Sequence, residues 1–325
     1  MADRHCAGNR FFRKGGRIGM TGERLYKAQS RFLFHSRIRL KIPARYGEED
    51  FDAFYRVLET IDKRYNSFQP GSFFDKINRR AGEFVPVDAE SIGMIARATA
   101  ISDLVDGAYD ISIMPLLRLW GFWQTRQTLP TPEDIAAARS RVNYRQIQTR
   151  GHAVCIGKTQ EIITGSFLKA YAVDRLADKL RESGIHDAII NAGSSTICAI
   201  NCAENPYSEV SVHEPESDKH LFTLKIANQC YATSAQTKTA VHIDGKSYGH
   251  ILDPRTGFPS GNRLLGIISR NGMTGDMLST ALYNETPTGF LDKISRLPAD
   301  WQITGFLMDA HGNLTFSPGF AAQLL

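Results

Sequence analysis

Tyr248-Gly249-His250-Ile251-Leu252-Asp253-Pro254-Arg255-Thr256-Gly257-Phe258-Pro259, followed by Gly275-Asp276-Met277-Leu278-Ser279-Thr280, is the stretch from which the rest of the chain reads outward. Prolines and glycines hold the first part in a defined, non-regular loop. Within it His250 is suited to accepting a proton, Asp253 to orienting donors, and Arg255 and Thr256 to meeting phosphate. The same residues also make an ordinary structural turn, and the loop alone does not separate the two readings. In the second part Asp276 and Thr280 are four apart, so on a helix they share one face. A carboxylate and a hydroxyl, completed by backbone carbonyls, suit Mg²⁺, which keeps positions open for phosphate oxygens. The bland alternative is a pair of side chains bonding to their own backbone.

Upstream, Phe51, Phe54, Leu58, Ile61 and Tyr65 recur at three- and four-residue steps and predict an amphipathic helix over Glu48–Tyr65. A second helix is expected from Ala89 to Val105, stopped by Asp106-Gly107. A third starts at Thr131-Pro132-Glu133-Asp134, with an N-cap, a first-position proline and two acids. Gly165-Ser166 opens a fourth that Gly184 closes. Further helices are expected near Gly275–Tyr283 and Thr288–Leu297. Alternating Ile38, Leu40 and Ile42 predict an early strand running to a sheet edge, and strands are expected at Val154–Ile163, Ile185–Ile190, Ser208–Val212, Leu221–Ile226 and Arg263–Ser269. A hairpin is expected over Ile303–Met308 and Leu314–Phe316. Hairpins mixed with crossovers make the class α+β, a mixed α/β chain with packed helices, rather than a doubly wound parallel sheet.

The formal charge of +5 over 325 residues is weak, and basic residues are interleaved with acids, which argues against nucleic-acid binding. Residues 1–29 are read as a basic, disordered extension with Met20 as a natural start, and residues 30–325 as the folded domain. No apolar run reaches the length of a signal peptide or a membrane span, so a cytoplasmic protein without membrane attachment is expected. The odd count of five cysteines, with no Cys-x-x-Cys pair, points to free thiols rather than zinc.

His250-Ile251, Asp253-Pro254, Thr256-Gly257 and Pro259, with Asp276 and Thr280-Ala281-Leu282 behind them, resemble the ApbE family, the FAD:protein FMN transferases. The likeness extends in order through Ser67-Phe68, Ser72 and Ile77-Asn78; Gly107-Ala108-Tyr109-Asp110 with Pro115-Leu116 and Trp120-Gly121-Phe122; Lys169 and Asp174; and Asn191-Ala192-Gly193. Several positions depart from the family pattern, Asn66 among them, which stands where a serine is usual. Ile163 and Ser195 stand where acids are usual, and Ala235 where a glycine is.

The resemblance implies an ApbE-like flavin transferase fold and an enzyme that splits FAD, attaches FMN through its phosphate to a Ser or Thr of a flavoprotein, and releases AMP. It implies Mg²⁺ held by Asp276 and Thr280, with carbonyls near Ser166 and Ser279. Lys169, Asp174, Asn191, Gly193, Ser194, Asp253, Arg255 and Thr256 would contact the dinucleotide, and His250 would handle the acceptor's proton. The partner would be a soluble flavoprotein with an FMN-attachment domain. The replaced acids leave two alternatives open: a flavin-binding carrier without transfer activity, and a Mg²⁺-dependent FAD pyrophosphatase in which water replaces the protein hydroxyl. Tyr109, Trp120 and Phe122 are expected in the core rather than against a ring ligand.

Overall fold

A computed structural model of the chain describes residues 25–122, 128–193, 195–236, 240–243 and 245–325. Its frame is an eight-stranded sheet whose spatial order is its chain order. The strands are β1 (Tyr26–Leu33), β2 (Ser36–Pro43), β3 (Ala188–Ala192), β4 (Thr196–Ile200), β5 (Cys230–Ala235), β6 (Leu264–Ser269), β7 (Thr304–Met308) and β8 (Leu314–Phe316). Every neighbouring pair is antiparallel. The class is therefore α+β, as the mixture of hairpins and helices predicts.

Between β2 and β3 lie six helices: α1 (Glu48–Tyr65), α2 (Phe73–Arg79), α3 (Ala89–Leu104), α4 (Met114–Trp120), α5 (Pro132–Arg139) and α6 (Leu168–Glu182). Two more, α7 (Gly272–Leu282) and α8 (Pro287–Ser295), join β6 to β7. Thr131 caps α5 by accepting from the Asp134 amide, while the Asp134 carboxylate accepts from the Thr131 amide. Gly184 takes φ +74° just past α6, the left-handed turn that a C-terminal glycine supplies without Cβ strain.

Strand pleating sends alternate residues to opposite faces. Ile190, Cys198, Cys230 and Ile267 join the core that α1, α3, α6 and α7 cover. Ile197, Tyr231, Ile268 and Phe306 join a second core, closed by the hairpin of Ser208–His213 and His220–Ile226. A third, smaller cluster gathers Leu116, Trp120, Ile135, Ile163 and Leu252. It ties α4 and α5 to the loop after the short hairpin of Ala240–Ile243 and Lys246–Gly249.

Several expectations shift. β2 is not an edge, because β1 flanks it and begins at Tyr26, inside the segment expected to be an extension. Residues 1–24, Met20 among them, lie outside the described residues. The strand expected over Val154–Ile163 is ordered as a ladder only over Ala153–Cys155. The later helices start earlier than expected, at Gly272 and Pro287. Cys155, Cys198 and Cys230 are free thiols, with Cys198 and Cys230 buried.

Trp120 anchors the third cluster. It is fully buried, and its indole Nε1 donates to the Gly257 carbonyl at 2.8 Å. Gly257 has φ +81°, and a Cβ there would lie 2.6 Å from Ile135 Cγ2. Gly184 has a similar φ but open space around it. Gly257→Ala is expected to destabilise the fold by about 2–4 kcal/mol, from left-handed strain plus overpacking. Gly184→Ala is expected to cost only about 1–2 kcal/mol, the strain alone. Urea unfolding midpoints of the two variants check this ranking.

Candidate active site

The loop at Tyr109, the segment leading into α6, the end of β5, the His250 loop and α7 converge on a cavity of about 610 Å³. That volume lies in the range of small-molecule sites. Ser166, Lys169, Gly193, His250, Asp276 and Thr280 all line it. Six of the residues expected to act together are thus brought together from four places in the chain.

Asp276 lies on α7, buried, with its carboxylate at the cavity. Among the described residues nothing donates a hydrogen bond to that carboxylate. Burial pushes its pKa up to about 7; the positive charge of Lys169 pulls it down and the negative charge of Asp174 pushes it up. A buried acid without donors calls for a proton or a cation. One turn on, the Thr280 hydroxyl donates to the Asp276 carbonyl at 3.1 Å, which leaves its lone pairs available. Among the described residues no three His, Cys, Asp or Glu side chains gather at one point. The donor set is hard oxygen without soft or imidazole ligands, which suits Mg²⁺ and not zinc.

Lys169 donates to Ser195 Oγ at 2.5 Å, so the cation is held toward the Gly193–Ser195 turn. Gly193 has φ +66°, and a Cβ there would meet Ser36 at 2.8 Å, so a side chain would crowd this wall. Tyr109, also on the cavity, shares a 2.9 Å hydrogen bond with Ser166, while burial and the nearby acids Asp276 and Asp110 push its phenol far up. Its ring is core and its hydroxyl belongs to the site. The amino end of α6 reaches this wall with no side-chain cap. An uncapped helix start presents backbone N–H groups to an anion.

The amino end of α7 is closed in contrast. Asp174 accepts from the Gly272 amide at 2.6 Å and the Met273 amide at 2.8 Å, and Asn271 accepts from Thr274. Burial holds the Asp174 carboxyl at about 6 against the lowering effect of those bonds. Asp174 is therefore a helix cap and lines no part of the cavity.

Other expected contacts also lie outside it. Asp253 receives a fork of bonds from Arg255, at 2.9 Å from Nε and 2.7 Å from Nη2, and Arg255 also pairs with Glu285 at 2.8 Å. Thr256 accepts from the Phe258 amide within the same turn. These three hold the loop, and Pro254 is what the turn presents to the cavity. The Ser279 hydroxyl is fully buried between Ser234 and the Asp276 carbonyl, which leaves the role expected of its backbone carbonyl untouched. Asn191 sits in β3 opposite Arg39, away from the lining. Ser194 lies outside the described residues.

Sequence reasoning did not place Ser36, Thr164 or Ser195 in the site. Ser36 sits beside the β1–β2 turn, where Phe34 and His35 both take positive φ, at 51° and 56°. Two adjacent left-handed residues are the mark of a tight hairpin turn, normally signalled by Asn-Gly and here carrying no such signal.

The ApbE family model matches residues 34–314. The chain belongs to the ApbE family. A Klebsiella pneumoniae protein named FAD:protein FMN transferase is 30% identical over 283 residues, spanning 81% of this chain and 84% of that protein. A Vibrio cholerae protein of the same name is 25% identical over 236 residues, 70% of each chain. Among solved ApbE structures, that of the Thermotoga maritima protein superposes with a TM-score of 0.83 at 24% identity, covering 92% of this chain and 99% of the other. The flavin transferase ApbE from Vibrio cholerae superposes with a TM-score of 0.79 at 20% identity, covering 93% and 100%. This ApbE-family chain therefore shares its fold with them from end to end of their length.

Asp276 also sets a pH dependence. The folded carboxyl keeps its proton up to about 7, whereas the unfolded group releases it near 3.8. The folded state then binds more protons, so its stability falls as pH rises from about 4 to about 7. Metal-free Asp276→Asn protein is expected to match wild type near pH 4 and to exceed it by about 2–4 kcal/mol at pH 8. Urea titrations at both pH values in the presence of a chelator measure the difference.

Proposed function

We propose that this chain is an FAD:protein FMN transferase that uses Mg²⁺ and a flavoprotein acceptor. The observation that carries the reading is the buried Asp276 carboxylate, without a hydrogen-bond donor among the described residues, set with Thr280 and Lys169 on a cavity of ligand size. The names of the relatives supply the reaction class.

In this reading the amino end of α6 and Lys169 receive the pyrophosphate of FAD, a dianion that needs positive charge on both flanks. Asp276 and Thr280 hold the metal, with backbone carbonyls near Ser166 completing the set. Bound Mg²⁺ supplies charge neutralisation on the phosphorus oxygens and on the departing AMP. The acceptor's Ser or Thr oxygen forms a bond to the FMN phosphorus as the bond to the bridging oxygen breaks. AMP leaves with that bridging oxygen. His250, half-buried on the cavity wall with Phe122 edge-on to its ring, takes the hydroxyl proton. Such proton transfer is worth roughly 10²–10⁴-fold in rate. No helix among the described residues is long and apolar enough to cross a membrane, and a cytoplasmic acceptor with an FMN-attachment domain is the partner we propose.

Incubation with FAD, Mg²⁺ and a flavoprotein bearing such a domain is expected to yield covalent flavin on one Ser or Thr, read by mass spectrometry, with one AMP per transfer. Free FMN and AMP without labelled acceptor would make the chain a pyrophosphatase, and intact bound FAD would make it a carrier. Asp276→Ala is expected to abolish transfer. His250→Ala is expected to slow it by about 10²–10⁴-fold with FAD affinity retained.

A further inference from the structure

A second depression, about 670 Å³, lies beside the cavity. Phe68 lines both, with nearly half of its surface exposed, and forms the ridge between them. The adjoining Ser67 amide donates to Thr164 Oγ1 at 3.0 Å, and Thr164 lines the cavity. The two hollows are therefore one continuous surface, pinned at its middle.

Their chemistry differs. The outer hollow carries four cations, Arg79, Arg118, Arg141 and Lys158, against two acids, Asp75 and Glu161. Both acids are already engaged: Asp75 by Arg79 at 2.8 Å, Glu161 by Arg118 through contacts of 2.8 and 2.5 Å. Arg141 and Lys158, both exposed, have no acidic partner among the described residues. The hollow thus offers two unneutralised cations over a floor that includes Ala81 and Pro115. That is a surface for an extended chain bearing carboxylates, because exposed cations select partners by charge while small apolar side chains let a backbone lie close.

Resting on the transferase reading, we propose that this groove docks acidic residues of the acceptor protein next to the Ser or Thr that enters the cavity past Phe68. Arg141 and Lys158 are specificity-determining residues that select the acceptor by charge and take no part in the chemistry.

The test uses two fluorescein-labelled peptides of equal length, each with a central Thr, one flanked by Asp and Glu and the other by Lys. Anisotropy with the full chain is expected to show the acidic peptide binding at least about tenfold tighter at low salt, with the gap closing as salt rises. Charge reversal in R141E/K158E is expected to invert the preference and leave FAD affinity, read by flavin fluorescence, unchanged. The neutral R141Q/K158Q variant is expected to abolish the preference without inverting it. Equal binding of the two peptides, or a preference that survives reversal, overturns the proposal. A loss of FAD affinity in R141E/K158E without a change in peptide preference also overturns it and assigns the groove to the adenylate end of the nucleotide. Because the readout is binding, it is independent of turnover. Charge-selective binding without flavin transfer would sink the transferase reading alone, and transfer without charge selection would sink the groove alone.

Discussion

One buried carboxylate sets the geometry on which the site depends. Asp174 projects from α6 and accepts the first two amides of α7. Burying an acid is costly, and here two backbone donors and the positive end of a helix offset the cost. Gly272 lets the helices approach, since a Cβ at that position would sit 3.2 Å from Asp174 Oδ1 and 3.3 Å from the Ala170 carbonyl. With α6 and α7 locked at this point, Lys169 and Asp276, one before and one after the joint, meet on the same cavity. The lock also decides which helix end remains available to an anion. The start of α7 is closed by side-chain caps, and that of α6 has none.

A division of labour runs through the loop at His250. Its most polar residues, Asp253 and Arg255, are consumed by one another and by Glu285, which Lys293 also approaches at 3.4 Å. That network fixes the turn, and Trp120 grips the far side through Gly257. The residues left facing the cavity are His250, Ile251, Leu252 and Pro254. Framing by spent charges leaves His250 as this loop's titratable ring at the cavity, which His35 and Tyr109 also line.

Six of the eight helices among the described residues were legible, from a 3.6-residue apolar stripe as in Glu48–Tyr65 or from a cap written in local residue types as in Thr131–Arg139; the short helices Phe73–Arg79 and Met114–Trp120 were not. Two central strands were not. Thr196–Ile200 is buried on both faces and shows no alternation, and Cys230–Ala235 is made of small and polar residues with no run to mark it. Tyr26–Leu33 reads as polar and basic because it is an edge strand with half its residues in solvent. In the site, Asp276 and Thr280 were legible through helical spacing, and Lys169, Gly193 and His250 through the ordered segments. Asp174, Asp253, Arg255, Thr256 and Ser279 sit in the same segments, yet their side chains serve the fold. Residue type and motif membership are equal for both groups, and only burial and partners tell them apart.

The sequence by itself determined the α+β class, most helix limits and the family, since these rest on periodicity and on short motifs whose order along the chain is independent of packing. Tertiary structure alone decided which polar side chain meets which. A carboxylate becomes a cap, an ion pair or an open ligand according to the donors that surround it, and those donors come from residues distant in sequence. The loop at His250 carries this lesson most clearly. Its histidine faces the cavity, and the charged residues beside it close on the protein itself.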